Sequence, residues 1–163
     1  MLYLIDGYNI LFKFFHSEKD IQTQRDLIIK FFQDTAEKFH LKIHLIFDAH
    51  KQQEVLATHT YDKHLKVIFT PKDQTADEYI LEQIFLSKTP SQITLITSDN
   101  SLTFQAKHMK AHTKSVDEFI DWLSEKEIKK ETKKLDKEEF VDTKHDIQRL
   151  LKIFEEKLDD DNF

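Results

Sequence analysis

Short, wholly apolar runs alternate with stretches of helical spacing along this chain, and three of those runs end on an aspartate. Leu2, Tyr3, Leu4 and Ile5 read as a buried strand that meets Asp6. The run from Leu41 to Phe47 meets Asp48, and Ile93 to Ile96 lead through Thr97 and Ser98 to Asp99. A further strand through Leu65, Val67, Ile68 and Phe69 is closed by Pro71, which lacks the donor a ladder needs. Between the first two runs, Ile21 to Phe39 carries Leu27, Ile28, Phe31, Phe32, Ala36 and Phe39 at helical intervals, an amphipathic face for a sheet. A second helix opens at Thr75, with Glu78 at capping-box spacing. A short helix over 101–107, a weak strand over 109–112 and a helix from Ser115, with Glu118 in capping position, lead to Leu123. Buried strands alternating with helices imply parallel pairing through right-handed crossovers, hence an α/β fold with a parallel sheet flanked by helices.

A parallel sheet gathers its carboxyl ends on one edge, where open α/β sheets bind ligands. Asp6, Asp48 and Asp99 belong to that edge, and Asp77 joins them from the first turn of the helix after another strand. Each acid also has a local explanation: Asp6-Gly7 is a turn signal, and Asp77 suits a helix N-terminus. Four together repel, so they raise one another's pKa or take a cation, and all-oxygen donors select Mg²⁺ or Mn²⁺. Gly7, the only glycine in 163 residues, is expected to let the chain turn away behind Asp6, so that metal and phosphate approach bare backbone.

The length suits one domain with an appendage. Zero cysteines exclude disulfides, thiolate catalysis and cysteine zinc sites, and a formal charge of −6 argues against a broadly basic nucleic-acid binder. No apolar run approaches the roughly 20 residues of a membrane span, and no signal peptide is visible, so a cytoplasmic protein without membrane contact is expected. From Ser124 the composition turns to lysine and glutamate, which divides the chain into a domain over 1–123 and a charged helical extension over 124–163. In that extension Ile147, Leu150, Leu151, Phe154 and Leu158 share one helical face, suited to docking on the body, a second subunit or a partner.

The motifs "DGYN" at 6–9, "FDAH" at 47–50, "VIFT" followed by "TADEYI", and "TSD" at 97–99 together resemble the YacP-like branch of the NYN nucleases, in the PIN-like superfamily. The resemblance spans residues 1–123. It implies a PIN-like, Rossmann-like sheet and a metal-dependent endoribonuclease of bacterial RNA turnover, with single-stranded messenger RNA as substrate and the ribosome as a partner. By the same resemblance, Asp6, Asp77 and Asp99 hold Mg²⁺ or Mn²⁺ and Asp48 is the acid ending the second strand. Asn9, Thr75 and Ser98 are expected to support them. Locally, Asn9 and Thr75 are also ordinary caps and Ser98 an ordinary backbone partner. The chain departs from the family pattern in carrying Tyr79 where a basic residue is common, and Lys107-His108-Met109-Lys110 in place of a glycine-containing loop. His50, Lys107, Lys110, His112 and Lys114 are candidates for phosphate contacts, although lysines in a run are also an ordinary solvated face. The rival reading is a non-catalytic PIN-like module that binds RNA or a ribosome. A small-substrate phosphohydrolase fits less well, because its second acid would fall on Tyr8, and a nucleotide-binding loop needs glycines this chain lacks.

Overall fold

The computed structural model describes residues 1–15, 20–49, 59–60, 63–134, 148–149 and 151–152. Along the chain these form β1 (Leu2–Asp6), α1 (Gly7–Phe14), α2 (Ile21–Phe39), β2 (Lys42–Phe47), β3 (His59–Thr60) and β4 (Leu65–Phe69). There follow α3 (Ala76–Leu86), a 3-10 turn at Pro90–Gln92, β5 (Ile93–Ile96), α4 (Asn100–His108), β6 (His112–Lys114) and α5 (Val116–Lys134). The sheet order is β3-β4-β2-β1-β5-β6. Five strands run parallel and β3 pairs antiparallel with β4 at one edge. This is the α/β architecture expected, a parallel sheet with helices on both faces.

Strand alternation divides the core in two. Tyr3, Ile5, Ile43, Leu45, Phe47, Leu65, Val67 and Ile96 pack against the apolar sides of α1, α2 and α5. Leu4, Ile46, Ile68, Ile93 and Leu95 pack against Ala76, Ile80 and Ile84 of α3 and Leu102 and Ala106 of α4. At the carboxyl edge the same alternation puts Asp6, two residues after Leu4, on the α3 and α4 side.

Three local expectations change. The chain does not turn after Asp6: α1 begins at Gly7, whose φ is not positive. A Cβ there would stand 2.6 Å from two ring carbons of Phe47 and 2.8 Å from the carbonyl oxygen of Ile46. The space glycine provides is therefore taken by β2, and not by a ligand. The last strand is three residues later than its apolar signal, because Met109 and Lys110 form a turn, with Lys110 in the left-handed region at φ 68°. Finally, the composition change at Ser124 falls inside α5, where Ser124 is buried and its hydroxyl donates to the carbonyl of Ile120 at 2.9 Å. Beyond α5, Leu151 is buried and joins Leu27, Phe31, Phe39 and Leu123 around a cavity of about 250 Å³. Ile147, Leu150, Phe154 and Leu158 lie outside the described residues. Among the described residues no helix is long and apolar enough to cross a membrane.

Candidate active site

Register places the acids at one edge. Asp6 pairs with Ile46 of β2, and Ile5 with Ile96 of β5, so Asp48 and Asp99 emerge from the strands on either side of Asp6. Asp77 reaches the edge from α3, held in its first turn by a complete capping box. The Thr75 hydroxyl oxygen accepts from the N–H of Glu78 at 3.1 Å, and the Glu78 carboxylate accepts from the N–H of Thr75 at 3.3 Å. Thr75 is thus engaged in fixing the helix that carries Asp77. Asp99 caps α4, accepting at Oδ1 from the N–H of Leu102 at 2.9 Å.

The turn that carries Asp99 is fastened on three sides. The amide oxygen of Asn9, in α1, accepts from the N–H of Ser98 at 2.8 Å and so ties the segment after β5 to the helix that follows Asp6. The Thr97 hydroxyl accepts from the N–H of Asp99 at 3.1 Å, and the N–H of Thr97 donates to the carbonyl of Lys114 at 3.1 Å. The Ser98 hydroxyl oxygen accepts from the N–H of Val116 at 3.4 Å, at the start of α5. Asn9 is a positioning residue, and Ser98 secures α5. Thr97, a polar side chain 1% exposed at the end of an apolar strand, belongs to the same support. Its signal in the sequence was a β-branched hydroxyl two residues before an acid.

The electrostatics show which acids meet. The Asp77 carboxyl is raised above the usual carboxylate range, by burial first, then by the charges of Asp99 and Asp48, and last by its neighbour Glu78. Three of the four aspartates therefore share one field, and register places Asp6 at the same edge. Among the described residues no group of three or more histidine, aspartate and glutamate side chains is gathered closely enough to hold a metal ion by itself.

The expected phosphate contacts divide. α4 leads away from Asp99, so Lys107 in its last turn and Lys110 in the following turn lie at the opposite edge of the sheet, where His112 starts β6. Nine helical residues span roughly 13 Å, which sets Lys107 and Lys110 apart from the acidic site, while His112 precedes Lys114 by two residues of β6. Lys114, paired with Ile96, does stand at the acidic edge, its ammonium 5.5 Å from the centre of the Trp122 ring. His50 lies outside the described residues. Tyr79, at the position where the family resemblance leads one to expect a base, is half-buried against the core under α3, and its hydroxyl is raised by burial and by Glu82.

The chain is thus an α/β domain whose parallel strands carry aspartates toward one carboxyl edge. The family model described as "YacP-like NYN domain" matches residues 3–161, and the chain belongs to that family. It is a PIN-like nuclease family, which supports an RNase-type function. No curated protein matches the chain. Among solved structures, the chain is similar to Rae1 (YacP) from Bacillus subtilis, with 24% identity and a TM-score of 0.64 over 99% of this chain and 92% of that one. It is likewise similar to the W164L mutant of that protein, with 24% identity and a TM-score of 0.62 over 86% of each chain. At that identity the likeness speaks for the fold.

Proposed function

We propose that this protein is an endoribonuclease that hydrolyses phosphodiester bonds of single-stranded RNA with Mg²⁺ or Mn²⁺ at the carboxyl edge of its sheet. Its setting is bacterial messenger RNA turnover in the cytoplasm, in association with the ribosome, as the family motifs imply. One observation carries the proposal: Asp99 and Asp48 both push up the carboxyl of half-buried Asp77, a repulsion that a cation would relieve.

The residues present fit such an ion. Mg²⁺ keeps several waters and takes one or two carboxylates, so it needs no protein cage of three close ligands. Asp77 and Asp99, with Asp6 at the end of β1, would hold it, and Asp48 adds negative potential. When bound, the ion supplies an activated water for in-line attack and offsets charge on the leaving oxygen. The chain's own part is orientation. Asn9 and Thr97 fix the turn of Asp99, Thr75 fixes the helix of Asp77, and Lys114 offers a cation for the RNA backbone at the same edge.

The test is cleavage of an end-labelled single-stranded RNA by the purified full chain. The expected products carry 5′-phosphate and 3′-hydroxyl ends, and excess EDTA stops their formation. Products with 2′,3′-cyclic phosphate ends, or undiminished cutting in EDTA, overturn the mechanism. Half-buried Tyr79 in place of a base, with Lys107 and Lys110 on the far edge, favours as second reading a module that binds RNA without cutting. Tight binding with no cleavage in either ion selects that reading.

A further inference from the structure

Arg25 is a buried cation that forms no ion pair among the described residues. It lies on the inner side of α2, 8% exposed, and among the described residues its guanidinium makes one hydrogen bond, Nη1 donating to the Tyr8 hydroxyl at 3.0 Å. Its guanidinium carbon stands 6.0 Å from the centre of the Phe69 ring. Among the described residues no carboxylate forms an ion pair with it; Asp26, next to it on α2, feels its charge without bonding to it. Buried charges are ordinarily paired, because an unpaired one loses its hydration and regains little from a neutral hydroxyl and a ring. Among the described residues, no nitrogen of Arg25 is buried without a hydrogen-bond partner. A planar fork of N–H groups set beside Tyr8 and Phe69 matches a phosphate.

Its position relates it to the acids. Tyr8 is two residues beyond Asp6, and its ring meets that of Phe47 edge-on at 5.1 Å. Phe47 directly precedes Asp48, pairs in register with Phe69 and stacks on it at 5.5 Å. The guanidinium therefore rests against Tyr8 at the start of α1 and Phe69 at the end of β4, on the α1 and α2 side of the edge whose other side carries Asp77. We propose that Arg25 is a substrate-binding residue that seats a backbone phosphate of the RNA strand next to the one cleaved, with Tyr8 holding the guanidinium in place. The inference rests on reading that edge as a ribonuclease site.

The test measures binding without cleavage: a fluorescent single-stranded RNA oligonucleotide is titrated with the full chain carrying Asp99→Asn, in EDTA, over a range of salt. Adding Arg25→Gln is expected to weaken binding at least about 10-fold at low salt. It should also reduce the slope of log K against log salt by about 0.7, the value for one phosphate contact on a single strand. Tyr8→Phe, which keeps the charge, should leave that slope unchanged. Affinity and slope unaltered in a folded Arg25→Gln chain overturn the proposal and make Arg25 a clamp between α1 and α2. Should Arg25→Gln not fold, Arg25→Lys takes its place: weaker binding with the slope retained supports the seat, and affinity equal to the parent overturns it. Normal binding by Arg25→Gln in a protein that cuts RNA sinks this inference alone, whereas binding through Arg25 without any cleavage sinks the hydrolytic reading alone.

Discussion

The two edges of the sheet crowd like charges of opposite sign, and they resolve the crowding differently. At the carboxyl edge, Asp48 and Asp99 act on Asp77 and raise it. At the amino edge, Lys42 and Lys66 act on His44, which burial and those two lysines together lower to about 4. A histidine so placed sheds its proton and is neutral at pH 7, so the amino edge needs nothing from outside. An aspartate has no such exit near neutrality unless its shift is very large, and its repulsion persists until a cation arrives. Both edges are polar and half-buried, but one can discharge itself and the other calls for a ligand.

The sharpest way to break that contrast is to remove one acid. Asp99→Asn keeps a side chain able to cap α4 but loses the charge, and cleavage of single-stranded RNA is expected to fall about 10²–10³-fold, the cost of losing one electrostatic element of an active site. Asp77→Asn should lower cleavage comparably and act on stability as well. Because the folded-state pKa of Asp77 lies above the unfolded one, the folded chain binds more protons between those values, and stability is lost as pH rises through them. Asp77→Asn removes that loss, so in EDTA at pH 7 its melting temperature should equal or exceed that of the parent. Mg²⁺ should raise the melting temperature of the parent, as binding to the native state requires, and that of Asp77→Asn much less. Equal Mg²⁺ stabilisation of the two chains would show that the carboxyl edge is no more in need of a cation than the amino edge.

Glycine and its absence give the contrast a second dimension. Gly7→Ala places a methyl group against the Phe47 ring and the Ile46 carbonyl, and only the ring can yield. Overpacking of this kind costs about 3 kcal/mol, to be read from denaturant unfolding. The displacement should spread to Asp6 and to Asn9, and through the Asn9 bond to Ser98, so the surviving folded protein should also cleave poorly. A stable, active Gly7→Ala protein would mean that the start of α1 is not what aligns the acids.

How much of this was legible in the sequence follows from the range of each interaction. Helix α2 was expected over Ile21 to Phe39 and is found there, and β5 likewise over Ile93 to Ile96, because an apolar period or a fully buried run is a local signal. Both capping boxes, Thr75 with Glu78 and Ser115 with Glu118, were readable for the same reason. The two-residue β3 was not, since pairing with β4 and not its own composition defines it. Nor was the role of Gly7, which depends on a ring forty residues away. The acids could be assigned to one edge from parallel topology alone, but which of them share a field, and that Lys107 and Lys110 end up far from it, depends on helix direction and length. Arg25 carried no signal: a lone arginine in an amphipathic helix reads as surface until Tyr8 and Phe69 are seen to enclose it.

At the amino edge the prediction concerns pH. The folded-state pKa of His44 lies below its unfolded value of 6.5, at about 4. Between those values the unfolded chain binds more protons, so the stability tied to neutral His44 is present above pH 6.5 and is lost as pH falls toward 4. With the site partly open to solvent, the loss is on the order of 1 kcal/mol. His44→Gln should flatten that part of the stability curve, measured by urea unfolding between pH 7 and pH 4, and should leave RNA cleavage at pH 7 unchanged. A curve as steep as that of the parent would mean that other groups, and not this edge, set the acid response.

The smallest effect is expected at Lys110, in the turn that follows α4. A left-handed backbone costs an ordinary residue roughly 1–2 kcal/mol, and the chain places lysine there while keeping its single glycine for the start of α1. The turn tolerates lysine because its side chain is exposed and no strand presses on its Cβ, whereas Gly7 faces β2 directly. Lys110→Gly relieves the strain but loosens the unfolded chain, which takes back part of the gain. The net should be a stabilisation of roughly 0.5 kcal/mol, visible as a small rise in melting temperature, with cleavage unaltered because the turn stands a full helix away from Asp99. Any loss of cleavage in Lys110→Gly would instead show that the amino edge takes part in gripping RNA, and that the two edges are not divided in function as their charges are.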